Sequence, residues 1–299
     1  MITSRLPRTA PAWRPLLVPM VVLLTWDVLV TVAFKAGWIE FRGITIQYTL
    51  YGTAIALFLG FMVNASYARW WEARTLWGSI VNHSRNLGRE AMTLLDPNVP
   101  DARPEIAGEI VRAQIAYVHA LRASLREQSS PAEVEVYLDG EALRRVRSAT
   151  SAPTAALTHV GHLLAEARRR GMIDDIARVQ VESTLSVLTD AQGGLERIKK
   201  TPLPVQYRFL PSFFARAFCV ILPFAVFKDL QWFTPIGSGL IGMMFLLAVQ
   251  VGRDLADPFL DQVHDVPMTA ICRSIEIDLL EMIGAETPEA VSPVNQVLW

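Results

Sequence analysis

The stretch TAIALFLGFMVNASYARWW, residues 53–71, decides the fold that we predict for this chain. It begins as an uncharged apolar helix and ends at Arg69, Trp70 and Trp71. Basic and aromatic residues at the end of an apolar run are typical of a membrane span that reaches the lipid–water interface. The stretch therefore predicts a transmembrane helix with a membrane-interface motif at its end.

One face of this helix carries Thr53, Leu57 and Phe61, which are spaced at i, i+4 and i+8. Gly60 would let a neighbouring backbone come close. Apolar residues at helical spacing most often form an ordinary packing or lipid-facing stripe. The same face could instead line a pore.

The composition places part of the chain in lipid. Hydrophobic residues make up 52% of the 299 positions, and the mean hydropathy is +0.29. Charged residues still make up 19%, with a formal net charge of -1, so the charge is concentrated outside the apolar runs. A sequence pI near 6.5 gives no basic footprint for nucleic acid. Two cysteines, Cys219 and Cys272, support neither a disulfide framework nor a cysteine zinc site, and we predict no cofactor.

Four apolar runs are long enough to span a bilayer, at residues 16–34, 46–66, 209–227 and 233–251. An even number of spans places both termini and the long middle region on one side. Arg69 and Arg74 indicate that this side is the cytoplasm, by the positive-inside rule.

The remaining sequence is charged and rich in helix formers. Amphipathic spacing predicts helices at residues 106–126, 157–200 and 268–283, and no alternating strand pattern of useful length occurs. The fold class is therefore an all-α membrane protein. We divide the chain into an N-terminal tail with two spans, a cytosolic helical region, two further spans and a cytosolic C-terminal segment, at residues 1–66, 67–208, 209–251 and 252–299.

Two charged residues, Asp27 and Arg216, lie inside predicted spans. An ionisable group at membrane depth is a functional or pairing hypothesis by default, because an unpaired charge there is costly. Both residues fall near the middle of their spans, and we expect them to form an intramembrane ion pair.

Several blocks along the chain resemble the prokaryotic branch of the bestrophin family. The blocks are listed here in chain order: FLGF at 58–61, RWWEAR at 69–74, LWGSIVNHSRNLGRE at 76–90, GGLERIKKTPLP at 193–204 and DPFLDQVHDVPMTAICRSIEIDLL at 257–280. Their order and their spread over most of the chain are more specific than any one block. By this resemblance the chain is identified as a member of that family.

The resemblance implies a homopentameric ion channel in the bacterial inner membrane, with four spans per subunit around a central pore. It places the pore neck at Thr53, Leu57 and Phe61 and a cytosolic aperture near Ile176. The family usually has three apolar neck residues, so Thr53 departs from its pattern. A hydroxyl in an apolar constriction eases wetting, because such a constriction closes by excluding water.

Vertebrate members of the family hold calcium in an acidic cluster after the last span, and the matching residues here include Asp261 and Asp265. Gln262 stands where that cluster should carry an acid. Calcium requires six to eight oxygen ligands with carboxylates among them, so these residues are weak calcium candidates and we predict no metal.

The function that we predict is passive conduction of chloride or another small anion, with no covalent chemistry. A monovalent cation such as sodium is the alternative within the same architecture, because apolar rings do not choose a sign. A non-conducting membrane scaffold or sensor is a further alternative. A membrane-embedded enzyme would need a cluster of histidines, cysteines or acids at a membrane boundary, and the sequence offers no strong one.

Overall fold

The structure is a computed structural model, and it describes residues 10–39, 47–95, 103–129, 132–294 and 297–298. The secondary structure of these residues is helical, apart from an isolated bridge between Val294 and Val297. The helices are α1 (Ala10–Lys35), α2 (Tyr48–Thr93), α3 (Arg103–Leu125), α4 (Ala132–Tyr137), α5 (Gly140–Ser148), α6 (Ala152–Arg169), α7 (Asp175–Lys200), α8 (Val205–Leu230), α9 (Thr234–Asp254) and α10 (Met268–Met282). The all-α prediction is confirmed.

The chain forms two compact units. The apolar unit comprises Ile2–Trp70 and Pro202–Pro258, and the polar unit comprises Trp71–Thr201 and Phe259–Trp299. Helix α2 runs unbroken for 46 residues and contributes to both. The division of the chain into four segments stays a prediction.

The apolar unit contains the helices that match a bilayer in length and composition. Within the described residues, three segments are long and apolar enough to cross a membrane, namely Leu16–Lys35, Tyr48–Thr93 and Val205–Asp254. The last segment is a hairpin, in which a 3-10 turn at Gln231–Phe233 joins α8 to α9. The runs at residues 16–34 and 209–227 lie inside α1 and α8, and the run at 233–251 starts on the turn and continues through α9. The run at 46–66 begins just before α2, and its first residue lies outside the described residues.

Small residues on α9 let α1 pack closely against it. A Cβ atom added to Gly242 would lie 2.4 Å from Leu23 Cδ2 and 3.5 Å from Cys219 Sγ. Such close approach through glycine is a common way for membrane helices to associate, since van der Waals packing rather than water exclusion drives it. The contact among α1, α8 and α9 therefore depends on the close fit of their side chains.

The polar unit has a conventional buried core. Helix α3 is covered on nearly every side, and Ile110, Ile115, Val118 and Leu121 are all fully buried. The predicted amphipathic region at 157–200 consists of α6 and α7, which are separated near Gly171 by backbone in the left-handed region, at a φ of +70°. The predicted C-terminal helix corresponds to α10.

A buried polar network joins α3, α4 and α10 within the polar unit. His119 Nε2 lies 3.2 Å from Glu276 Oε2, and the Tyr137 hydroxyl donates to Glu276 Oε1 at 2.5 Å. Burial acts to raise the pKa of Glu276, but the hydrogen bonds from His119 and Tyr137 outweigh it, and the pKa lies below its ordinary value. The network therefore requires Glu276 as a carboxylate, and its stabilising contribution is present near neutral pH and is lost as the pH falls through the lowered pKa.

We predict that Tyr137→Phe loosens α10, because it removes a hydrogen bond to a buried charge worth about 1.5–3 kcal/mol. Amide hydrogen exchange across α10 should become roughly tenfold to a hundredfold faster. The matched control is Tyr117→Phe, which removes a hydrogen bond to the neutral carbonyl of Leu188 at 3.3 Å and should leave α10 exchange unchanged. Equal effects of both variants on α10 would refute the special role of Glu276.

Candidate functional site

The apolar part of α2 is covered by its own chain on one side only. Leu59 and Met62 are each 2% exposed and pack against Ala215 of α8 and Val249 of α9. On the uncovered side, Leu57 is 58% exposed and Phe61 is 54% exposed.

Thr53 is likewise exposed, so all three predicted neck residues lie on the uncovered side. The arrangement leaves an apolar helix face that lipid or another copy of the chain must cover. The sequence-based prediction that Thr53, Leu57 and Phe61 share one face agrees with this geometry, and their role as a neck stays a prediction.

The Thr53 hydroxyl is engaged by its own helix. Its Oγ1 donates to the carbonyl oxygen of Thr49 at 2.8 Å. Its donor is thereby used, and its oxygen lone pairs remain to accept hydrogen bonds from water. Thr53 can therefore wet an apolar ring without offering a hydrogen-bond donor to an anion.

The glycine that allows close packing against α2 lies on α9. A Cβ atom added to Gly60 would meet nothing within 4 Å in the described chain. By contrast, a Cβ atom added to Gly252 of α9 would lie 2.5 Å from Met62 Cε. Among the described residues, no neighbour uses the space at Gly60 that we expected for packing, and Gly252 has that role in the contact between α9 and α2.

The membrane-interface motif is partly fastened to its own unit. Arg69 Nε donates to the carbonyl oxygen of Ala256 at 3.0 Å, and the Trp70 ring stacks on Tyr67 with centroids 6.3 Å apart. Trp71, the next residue, is exposed. Arg69 thus holds α2 against the segment that follows α9, which adds a structural role to the interfacial one that we predicted.

The expected ion pair between Asp27 and Arg216 is not formed in the described chain. Asp27 is fully buried, and its Oδ1 lies 3.1 Å from Ser238 Oγ on α9. Arg216 is exposed on α8. The rotation of each helix about its own axis, which packing sets and hydropathy does not reveal, turns Asp27 toward α9 and Arg216 outward.

The predicted cytosolic aperture residue, Ile176, is 85% exposed in the first turn of α7. The turn is fixed by Asp174, whose Oδ1 accepts a hydrogen bond from Ala177 N at 2.6 Å. An apolar side chain is therefore presented outward from a well-capped helix start, and the aperture role stays a prediction.

The weak calcium candidates are engaged in protein contacts. The Asp261 carboxylate pairs with Arg126, and its backbone is in the left-handed region, at a φ of +64°. Asp265 Oδ2 accepts from the backbone N–H of Gln262 at 2.9 Å. Among the described residues, no group of three or more His, Cys, Asp or Glu side chains is arranged to hold a metal ion.

Sequence reasoning missed a basic cluster in the apolar unit. Arg208 and Arg216 of α8 and Arg253 of α9 are all exposed, and Arg253 lies within electrostatic range of the other two and of Asp254. The eight-residue spacing of the two α8 arginines is the signal that could have found it, together with the antiparallel pairing of the last two spans. The arrangement gives this part of the unit a net positive field.

The chain is similar to bacterial proteins of known family. The family described as Bacterial/Fungal Bestrophin protein matches residues 13–281. A relative from Escherichia coli strain K12, the voltage-dependent anion channel-forming protein YneE, is 38% identical over 275 residues, which cover 91% of this chain and 88% of the relative. The voltage-dependent anion channel-forming protein RSc3414 of Ralstonia nicotianae is 32% identical over 279 residues, which cover 91% of this chain and 90% of the relative.

Solved structures give the same assignment. The crystal structure of a bacterial bestrophin homologue from Klebsiella pneumoniae matches with a TM-score of 0.83 at 28% identity, covering 89% of this chain and 98% of that one. The family match extends over most of the sequence, and the fold agrees over nearly the same length. This membrane protein belongs to the bestrophin family.

Proposed function

We propose that the chain forms a passive anion channel of the bestrophin type and that it catalyses no covalent step. Chloride is our first choice for the conducted anion. The similar proteins from Escherichia coli and Ralstonia nicotianae are named as voltage-dependent anion channel-forming proteins, which supports this assignment. The channel is a homo-oligomer, a pentamer by family resemblance, in the bacterial inner membrane with both termini in the cytoplasm.

The observation that carries the proposal is the uncovered apolar side of α2. Either lipid or another helix can cover such a face, and rotation of identical copies about an axis supplies a protein cover by bringing the same side of each copy to the centre. Thr53, Leu57 and Phe61 then form three stacked rings. Rings of Leu57 and Phe61 conduct only when wetted, and the lone pairs of Thr53 favour water at the first ring.

Two further features support the proposal. One favours anions as the conducted ions, and the other is suited to a second constriction of the pore. The basic cluster of Arg208, Arg216 and Arg253 raises the local concentration of anions by its field. Ile176, exposed at the start of α7, is suited to a narrow apolar ring in the cytosolic region. Calcium has no part in the proposal, because the Asp261 carboxylate already pairs with Arg126.

Reconstitution into liposomes tests the proposal. We expect the purified protein to release trapped chloride, and we expect its reversal potential under a salt gradient to lie toward the chloride equilibrium potential. Protein-free liposomes are the control. A reversal potential toward the cation equilibrium potential would assign a monovalent cation channel instead. No flux from the double variant Leu57→Ala and Phe61→Ala, whose neck is wider, would assign a non-conducting scaffold.

We predict that Thr53→Ile lowers the resting conductance. Replacing a hydroxyl by an apolar group changes the free energy of wetting by about 1 kcal/mol, and this corresponds to a current roughly fivefold smaller. Single-channel or bulk current in bilayers gives the measurement.

The matched control for this variant is Thr25→Ile on α1. Thr25 is also exposed and also donates to the carbonyl four residues before it, Val21, at 2.8 Å. The two substitutions therefore change the same local hydrogen bond, and only the one at Thr53 should alter conductance. An unchanged current in Thr53→Ile would remove this residue from the pore.

A further inference from the structure

Asp27 is a buried carboxyl group in the middle of a span, and it has no part in the conduction path that we propose along α2. None of its surface is exposed, and α1 packs against both α8 and α9. Its Oδ1 lies 3.1 Å from Ser238 Oγ, a separation that fits a hydrogen bond in either direction. Its Oδ2 is buried and has no hydrogen-bond partner among the residues that the structure describes.

The surroundings of this carboxyl group are apolar and close-packed. A Cβ atom added to Gly239 would lie 3.6 Å from Asp27 Oδ2 and 2.6 Å from Leu24 Cδ2. The absence of a side chain at Gly239 thus makes room for Leu24, and α9 comes within ordinary contact distance of the carboxyl group.

No cation of the described apolar unit neutralises Asp27. Lys35, two turns further along α1, donates to Gln231 Oε1 at 2.6 Å instead. The thiol of Cys219 is the titratable group within electrostatic range of Asp27, and it donates to the carbonyl oxygen of Gly242 at 3.9 Å. The other titratable groups on the described parts of α8 and α9 form no ion pair with Asp27, and they are Tyr207, Arg208, Arg216, Lys228, Asp229, Arg253 and Asp254.

A bare carboxylate in this position would be a buried charge without a counter-ion, which is among the most unfavourable groups that a membrane bundle can contain. A carboxylic acid at the same place is neutral. If the proton is on Oδ1, the acid donates to Ser238 Oγ, and Oδ2 becomes a carbonyl oxygen that needs no counter-ion. One proton therefore removes the charge and makes use of the available partner.

We propose that Asp27 is a proton-binding site inside the α1–α8–α9 bundle, holding its proton at neutral pH through the enclosure by Gly239 and the hydrogen bond with Ser238. The proton is the ligand, and it is taken from and returned to water. An exposed aspartate has lost its proton above about pH 4, so the folded bundle binds one proton more than the unfolded chain does. Stability of the bundle must then fall as the pH rises above that value, and the fall ends where the folded bundle has also lost its proton.

Infrared spectroscopy of the purified, full-length protein tests the site directly. At neutral pH we expect a carbonyl stretching band of a protonated carboxylic acid that is absent from the variant Asp27→Asn. Ser238→Ala should keep the band and shift its frequency, because the hydrogen bond is lost. The Ser238→Ala arm decides the question if Asp27→Asn does not fold. If neither variant alters the band, the proposal is wrong.

Thermal unfolding separates this site from an ion pair formed between subunits. We expect the melting temperature of the protein to fall as the pH rises above about 4 and to level off where the folded bundle has lost its proton, and we expect Asp27→Asn, whose amide is always neutral, to lose this dependence. Arg216→Gln should not change how the melting temperature depends on pH, either in the wild-type protein or in Asp27→Asn. Arg216→Gln could instead destabilise the protein, with the double variant Asp27→Asn and Arg216→Gln restoring the stability. Asp27 would then be ionised and paired with Arg216, and the proposal of a proton site would fail even if the protein conducts chloride.

Discussion

An apolar helix face that the chain does not cover is the constraint on which the rest of this structure depends. One side of the first half of α2 is packed against α8 and α9 through Leu59 and Met62, and the other side presents Leu57 and Phe61. The backbone of a span is satisfied within its own helix, so what remains is cover for the exposed apolar side chains, from lipid or from another helix. Association of identical copies about an axis, as we propose for this chain, would supply that cover and create a pore in the same step.

The two units of the chain deal with buried polar groups in different ways. In the polar unit, Glu276 is kept as a carboxylate by two donors, His119 and Tyr137, and it joins three helices. In the apolar unit, Asp27 has one hydroxyl partner and no cation among the described residues, which is the basis for assigning it a proton. The difference follows from the number of donors that each helix bundle can supply, because a charge is tolerated only where enough of them converge.

The sequence predicts well where the helices begin and end, but it predicts poorly how each helix is rotated about its own axis. Hydropathy locates the ends of α8 and α9 to within four residues and those of α1 to within six. The spacing of Thr53, Leu57 and Phe61 is enough to place them on one face. Hydropathy carries no information on how far a fully apolar helix is rotated about its axis, so it does not predict that Asp27 contacts Ser238, and not Arg216, within the described chain. The long-range pair of His119 and Glu276, 157 residues apart, has no local signal at all.

Cysteine accessibility along α2 tests the central claim, which is that its uncovered side lines the conduction path. Both native thiols are buried, so the background reaction with a charged thiol reagent should be small. Single cysteines at Thr53, Leu57 and Phe61 should react and block the current, whereas cysteines at Leu59 and Met62 should not. Block at Leu59 and Met62, with no effect at the other three positions, would contradict the account.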